Sequence, residues 1–171
     1  MPDDNNGLAA DPWHDEDMRR ITVALATLVL LAACADDALQ NPPTRPASTV
    51  RFGGTDATLF VEVADATEEQ RRGLSGIRYL PADQGMAFVW PDPVDGTFWM
   101  KDTLIPLSIA FVDEGGRVID VLDMQPCETD RCQTYGVDEP YVLAVEANLG
   151  WFDDHGVEAG DGAELRASLY G

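Results

Sequence analysis

From residue 49 onward, apolar and polar positions alternate in short runs bounded by turn residues, the period of strands with one face buried. Residues 49–52 and 58–63 are two such runs, and Gly53-Gly54-Thr55-Asp56 between them predicts a hairpin loop. Residues 86–90 and 97–100 predict aromatic-rich strands on either side of Pro91-Asp92-Pro93-Val94-Asp95-Gly96. Residues 107–112 and 117–122 flank Asp113-Glu114-Gly115-Gly116, the clearest hairpin in the chain. Residues 141–147 and 163–168 read as further strands. Helical signals are brief. Thr67-Glu68-Glu69-Gln70 predicts a capping box, with Thr67 as the cap and Gln70 at the third helical position, opening a helix that closes near Gly73 or Gly76. Residues 151–155 predict a helical turn. About seven short strands with one or two short helices predict a mainly β (α+β) domain over residues 49–171, a small barrel or a strongly curved, antiparallel-rich sheet.

Ahead of this domain the pattern changes. Residues 1–17 are polar and unpatterned, with six acids, Asp3, Asp4, Asp11, Asp15, Glu16 and Asp17. Met18-Arg19-Arg20 then precedes the uncharged run 21–33. As a helix that run covers about 20 Å, short of the roughly 30 Å hydrocarbon core of a bilayer. Length and basic flank predict a signal-peptide segment, residues 18–33, in place of a spanning helix. The run ends in Leu31-Ala32-Ala33-Cys34, an arrangement similar to a lipobox, so Cys34 is the expected lipidation site and a lipid there the expected membrane anchor. The acids of residues 1–17 are foreign to a signal peptide, and the expectation is a non-native extension or polar leader, with translation beginning at Met18. Arg19-Arg20 leaves the export route, twin-arginine or Sec, open. Residues 34–48, with Pro42, Pro43 and Pro46, read as a tether that holds the domain at the extracytoplasmic face of the cell membrane.

Charge narrows the function classes. There are 31 acids against 11 bases, a formal net charge of −20, and Lys101 is the only lysine. Such a surface repels phosphate backbones, which argues against nucleic acid as a partner, and it repels anionic headgroups, so membrane association calls for an anchor. A dispersed acidic surface with one lysine fits a halophilic setting, where salt screens self-repulsion; a GC-rich genome would also favour Arg over Lys. Of three cysteines, Cys34 is assigned to lipid, which leaves Cys127 and Cys132 in Pro-Cys-Glu-Thr-Asp-Arg-Cys. Outside the cytoplasm this pair is expected to form a disulfide. Zinc is disfavoured by the C-x4-C spacing, the missing second pair and only two histidines, His14 and His155. No metal and no cofactor is expected.

Several blocks together resemble one family. Arg71 to Ile77 (RRGLSGI), Gly85-Met86-Ala87-Phe88, Phe98-Trp99-Met100-Lys101-Asp102-Thr103, Ile105-Pro106-Leu107 with Ala110-Phe111, and Glu146 with Gly150 are similar to the domain of unknown function 192 family, also called uncharacterised protein family 127. The resemblance covers roughly residues 57–167. It implies a small, largely β domain, often exported behind a signal peptide, with no established reaction. The chain departs from the common pattern at Ser108, where many members carry Asp, and at Ser75, where many carry Met.

The motif blocks also hold the candidate chemistry. Met86, Phe88, Trp90, Phe98, Trp99 and Met100 form an aromatic and thioether cluster, and alternation forbids that Phe98-Trp99-Met100 bury all its side chains on one face. Either both faces are covered, or one apolar face lines a groove. Lys101, Asp102 and Thr103 supply polar groups directly after the cluster: Lys101 either receives an anionic ligand group or pairs with Asp102 or Glu146, and Asp102 and Thr103 otherwise form a turn that leads into Pro106. Glu146 sits within the apolar run 142–147, where a carboxyl needs a partner or takes a raised pKa. No G-x-S-x-G elbow, phosphate loop or dinucleotide fingerprint is present. Three functions follow: a binding or accessory module with an apolar-walled groove for a small molecule, glycan or peptide; a hydrolase-like enzyme using Asp102 and Glu146 with Lys101; or a domain that docks another envelope protein through a flat aromatic patch. The candidate site is Met86, Phe88, Trp99, Lys101, Asp102 and Glu146, with no assigned catalytic residue.

Overall fold

The computed structural model describes residues 48–129 and 131–166. The signal segment, Cys34 and the tether up to residue 47 lie outside the described residues. Nine strands and two short helices make up the described part: β1 (Ser48–Phe52), β2 (Thr58–Ala64), α1 (Thr67–Arg72), β3 (Gln84–Val94), β4 (Phe98–Trp99), β5 (Leu107–Val112), β6 (Val118–Met124), β7 (Thr134–Tyr135), β8 (Tyr141–Asn148), α2 (Trp151–Asp154) and β9 (Ala163–Arg166). Seven strands form one curled sheet in the order β6-β5-β8-β3-β2-β1-β9, a half-barrel, while β4 and β7 pair separately. Every pairing is antiparallel except β2 with β3, which are parallel and joined through α1.

The two edges of the curled sheet meet at one corner. A bridge joins Arg117 to Gly162, the Val118 amide donates to the Asp161 carbonyl at 2.8 Å, and the Ala163 amide donates to the Gly116 carbonyl at 2.7 Å. Stitching β6 to β9 here satisfies edge groups that would otherwise offer a template for another chain.

Alternation along the central strands divides the buried residues into two sets. Leu143, Val145 and Ala147 of β8 join Val50, Leu59, Val112, Trp151 and Phe152 inside the curl. Ala144 of β8 joins Phe88, Met100, Leu107, Ile109, Phe111, Met124 and Tyr141 on the second face. Both faces of the middle of the sheet are therefore covered. What covers the second face is α1 with the chain that follows it, the segment 98–103, and the loop around residues 125–135.

Gly85 opens the β3 motif for a steric reason. A Cβ there would run into the Glu146 carbonyl oxygen and the Leu59 side chain, so β3 and β8 approach this closely only with glycine at that position. Ser108, the first departure from the family pattern, is buried and faces the inside of the curl with Ala110. Its hydroxyl donates to Asp123 Oδ1 at 2.6 Å and accepts from the Gly150 amide at 2.8 Å, tying β5 to β6 and to the turn that enters α2.

Two local expectations are corrected. The helix cap is Ala66, one residue before Thr67, and Glu69 Oε2 accepts from the Ala66 amide at 3.3 Å. Alanine has no side-chain acceptor, so the box is half made. Gln70, released from the box, instead fastens α1 to β3, its side-chain amide donating to the Val89 carbonyl at 2.9 Å. Second, residues 91–94 continue β3 instead of forming a loop, across a register irregularity between Val89 and Val94 in which two prolines without N–H groups are tolerated. Within the expected strand 97–100, residues 98 and 99 pair with β7, through Phe98↔Tyr135 and Trp99↔Thr134.

Candidate functional site

The segment 98–103 is a strap over the second face of the sheet. After β4 its pairing continues through a parallel bridge between Lys101 and Cys127, with the Cys127 amide donating to the Met100 carbonyl at 3.2 Å and the Asp102 amide to the Cys127 carbonyl at 3.0 Å. Cys127 and Cys132 are bonded to each other, Cα atoms 5.7 Å apart, as the cysteine arithmetic predicted, and the disulfide loop is what the strap is sewn to. Alternation then assigns the strap's side chains. Phe98 points in, with its ring centroid 5.0 Å from Phe88 and 5.7 Å from Phe111, and Met100 is fully buried. Trp99 points out and is 57% exposed.

Between the strap, α1 and the end of β3 lies an apolar groove of about 630 Å³. Phe88 and Trp90 of β3, Phe98 and Trp99 of the strap and Tyr141 of β8 wall it, with Gln70 and Arg71 of α1 at one margin and Asp95 and Thr97 at the other. The aromatic rings pack edge to face: Trp90 and Tyr141 are 5.4 Å apart, Phe111 and Tyr141 5.0 Å. The Tyr141 hydroxyl donates to the Gly96 carbonyl at 3.0 Å, which holds the loop after β3 against β8. Burial, and secondly the charge of Asp95, push the Tyr141 phenol up to about 12, so it stays a neutral donor.

A narrow recess of about 40 Å³ adjoins the groove and shares Gln70, Arg71, Phe88, Phe98 and Trp99 with it. Among the described residues its further walls include Arg72, Lys101, Thr103 and Glu146. Glu146 reaches it because of strand register. It pairs with Met86 of β3 and Ile109 of β5, and so lies on the second face of the sheet with Ala144, directly beneath the strap. Among the described residues it is the one buried acid. Burial raises its pKa to about 8, so near neutrality it carries its proton and is a hydrogen-bond donor as well as an acceptor.

Of the six sequence-predicted site residues, Phe88, Trp99, Lys101 and Glu146 converge on this recess. Met86 and Asp102 do not line it. Met86 is buried in the core of the second face, beside Glu146 in register. Asp102 is exposed and, among the described residues, is the one non-glycine with positive φ, at 58°. It occupies the third position of a turn closed by the Thr103 amide donating to the Met100 carbonyl at 3.1 Å, while its own carbonyl accepts from Gly76 at 2.9 Å. A short polar side chain tolerates this conformation better than most. The recess thus holds one described carboxyl group, not the pair an Asp102–Glu146 hydrolase would use. The concavity likewise differs from the flat patch of a docking surface.

Sequence reasoning missed Gln70, Arg71, Arg72 and Tyr141, and singled out Thr103 without placing it in the site. Arg71 and Arg72 lay inside a recognised block, and Thr103 inside another, but nothing in a helix of six residues announces which side chains reach across to a strap. Trp90 and Phe98 were in the aromatic cluster without being placed in the site.

Known proteins share this architecture. The family described as an uncharacterized ACR, domain of unknown function 192, matches residues 48–165. A crystal structure of a protein of unknown function from Novosphingobium aromaticivorans is similar at a TM-score of 0.63 and 30% identity, over 68% of this chain and 83% of that one. A second, from Sinorhizobium meliloti, whose description proposes a transcription regulator, is similar at a TM-score of 0.63 and 26% identity, over 72% of this chain and 98% of that one. No curated protein matches the chain.

Proposed function

The chain belongs to the domain of unknown function 192 family, and we propose that its β domain is a binding module that receives a small, apolar-bodied molecule in the groove beneath the strap, at the outer face of the cell membrane, held there by lipid on Cys34. The observation that carries this reading is the groove itself. Its volume of about 630 Å³ falls within the range of about 300–1,000 Å³ common for small-molecule sites, and its walls are aromatic with a few polar groups at the margins. Trp99, 57% exposed at the rim, offers a ring face to anything that enters. Regulation of transcription, named for the Sinorhizobium meliloti relative, is not carried over: a net charge of −20 opposes contact with a phosphate backbone.

The test is retention of metabolites. The full-length protein is incubated with a small-molecule extract, separated from free solutes, and its bound compounds are identified by mass spectrometry. A compound held by the wild type and lost from both Trp90→Ala and Trp99→Ala supports the reading. No retained compound, or retention indifferent to both substitutions, overturns it. The anchor is tested separately: Cys34→Ser should leave the membrane fraction, and a variant still firmly bound would contradict lipidation.

A further inference from the structure

Resting on that reading, we infer that the recess receives the carboxylate of the ligand, so that the occupant is an amphipathic monocarboxylic acid whose apolar body lies in the aromatic groove. Three observations converge on this. The first is charge. A chain with 31 acids and 11 bases places three of those bases, Arg71, Arg72 and Lys101, around one recess of about 40 Å³. In so negative a surface, this is where an anion meets positive potential at close range. Arg71 is held loosely by Glu68 at 3.7 Å, with both side chains exposed, and such a pair gives way readily.

The second is the polarity of the remaining walls. Thr103 is buried and lends a hydroxyl, and Glu146 lies beside it in the recess. Since burial keeps the Glu146 carboxyl protonated near neutrality, it adds a donor and no opposing charge. An acceptor with two oxygens and a negative charge satisfies this donor set, whereas an ammonium or amide N–H end does not. The third is size. About 10–15 Å³ suffices for one water, so the recess admits a terminal group of a few heavy atoms and not a sugar or a ring. The five residues shared between recess and groove put the charged end and the apolar body of one molecule in continuous contact with the protein.

The arrangement also gives the affinity a pH dependence. Among the described residues, the charged groups that share the recess with Glu146 are Arg71 and Arg72 at the end of α1 and Lys101 on the strap; β3 and β5 set Met86 and Ile109 beside it in register, which do not titrate. Burial raises the Glu146 pKa to about 8, so between pH 7 and pH 9 the recess gains a carboxylate, which repels that of the ligand.

The experiment is calorimetric titration of the full-length protein, at low ionic strength, with a series of ω-phenylalkanoates of increasing length and with the matching carboxamides. The expected result at pH 7 is that the acids bind about tenfold or more tightly than the amides. With competence tied to protonated Glu146, acid affinity should fall roughly tenfold by pH 9, while amide affinity stays flat. Glu146→Gln should flatten the acid profile, and Lys101→Met should erode the preference for acid over amide. Amides that bind as well as the acids would overturn the inference and leave the groove reading standing. If neither series binds, both fall together. The comparison of acid with amide is made on the wild type, so it stands even where a variant fails to fold.

Discussion

Replacing Glu146 by glutamine should stabilise the protein, and by an amount that depends on pH in a defined way. The carboxyl is fully buried, and burial moves its pKa from 4.5 to about 8 in the folded state. Below pH 4.5 both folded and unfolded chains carry the proton, and the group costs nothing. Between the unfolded and folded values the unfolded chain releases the proton while the folded one retains it, so stability falls as pH rises, by about 1.4 kcal/mol per unit. At pH 7 the accumulated cost is about 3 kcal/mol, and above the folded pKa it levels off at about 5 kcal/mol. Glutamine is close in shape and does not ionise. The many other carboxylates titrate alike in both proteins and cancel in the difference. Chemical denaturation of wild type and Glu146→Gln at pH 5, 7 and 9 should therefore show a stability difference that grows in favour of the variant, worth roughly 10 °C in Tm at pH 7. A difference that stays constant from pH 5 to pH 9 would refute the reasoning, because it would mean that Glu146 is as well solvated folded as unfolded.

The remaining predictions concern what holds the site in place. Gly85→Ala forces a Cβ against the Glu146 carbonyl and Leu59 and should cost about 1–3 kcal/mol by overpacking, read by denaturation; a neutral result would contradict the close approach of β3 and β8. Joint replacement of Cys127 and Cys132 by serine should cost about 2 kcal/mol, and because the strap is hydrogen-bonded to Cys127 it should raise amide hydrogen exchange in residues 100–103; unchanged protection there would detach the strap from the disulfide loop. Asp102→Gly relieves a positive φ at a residue outside groove and recess, so stability should move by no more than about 1 kcal/mol and ligand affinity should hold. A tenfold loss of affinity in that variant would return Asp102 to the site.

Much of the sheet was legible because its signals are local. The β5–β6 hairpin is announced by Asp113-Glu114-Gly115-Gly116, and the long apolar run of β8 by its composition. The strap was legible only in part: residues 97–100 read as a strand, but β7 has two residues, and its pairing with β4 spans more than thirty positions and follows from no period of its own. The helix cap was misread by one residue because Thr67 is the better capping residue in isolation, while Glu69 accepting from Ala66 and Gln70 fastening to β3 decide the frame in the fold. The site divides in the same way. Glu146 stood out as an acid in an apolar strand, but its face follows only from register with Met86 and Ile109. Lys101 and Asp102 are neighbours in sequence, and the turn at Asp102 sends one toward the recess and leaves the other at the surface.

The central claim, that the space beneath the strap is where a ligand sits, is tested most directly by the indole N–H resonances of the tryptophans. Trp90 and Trp99 line the groove, whereas Trp151 is buried on the opposite face of the sheet against Phe52. Titration of ¹⁵N-labelled full-length protein with 4-phenylbutyrate should shift the Trp90 and Trp99 indole signals together and saturably, and leave Trp151 where it is. A saturable shift at Trp151 alone, or none at Trp90 and Trp99 at concentrations that shift any other signal, would contradict the account.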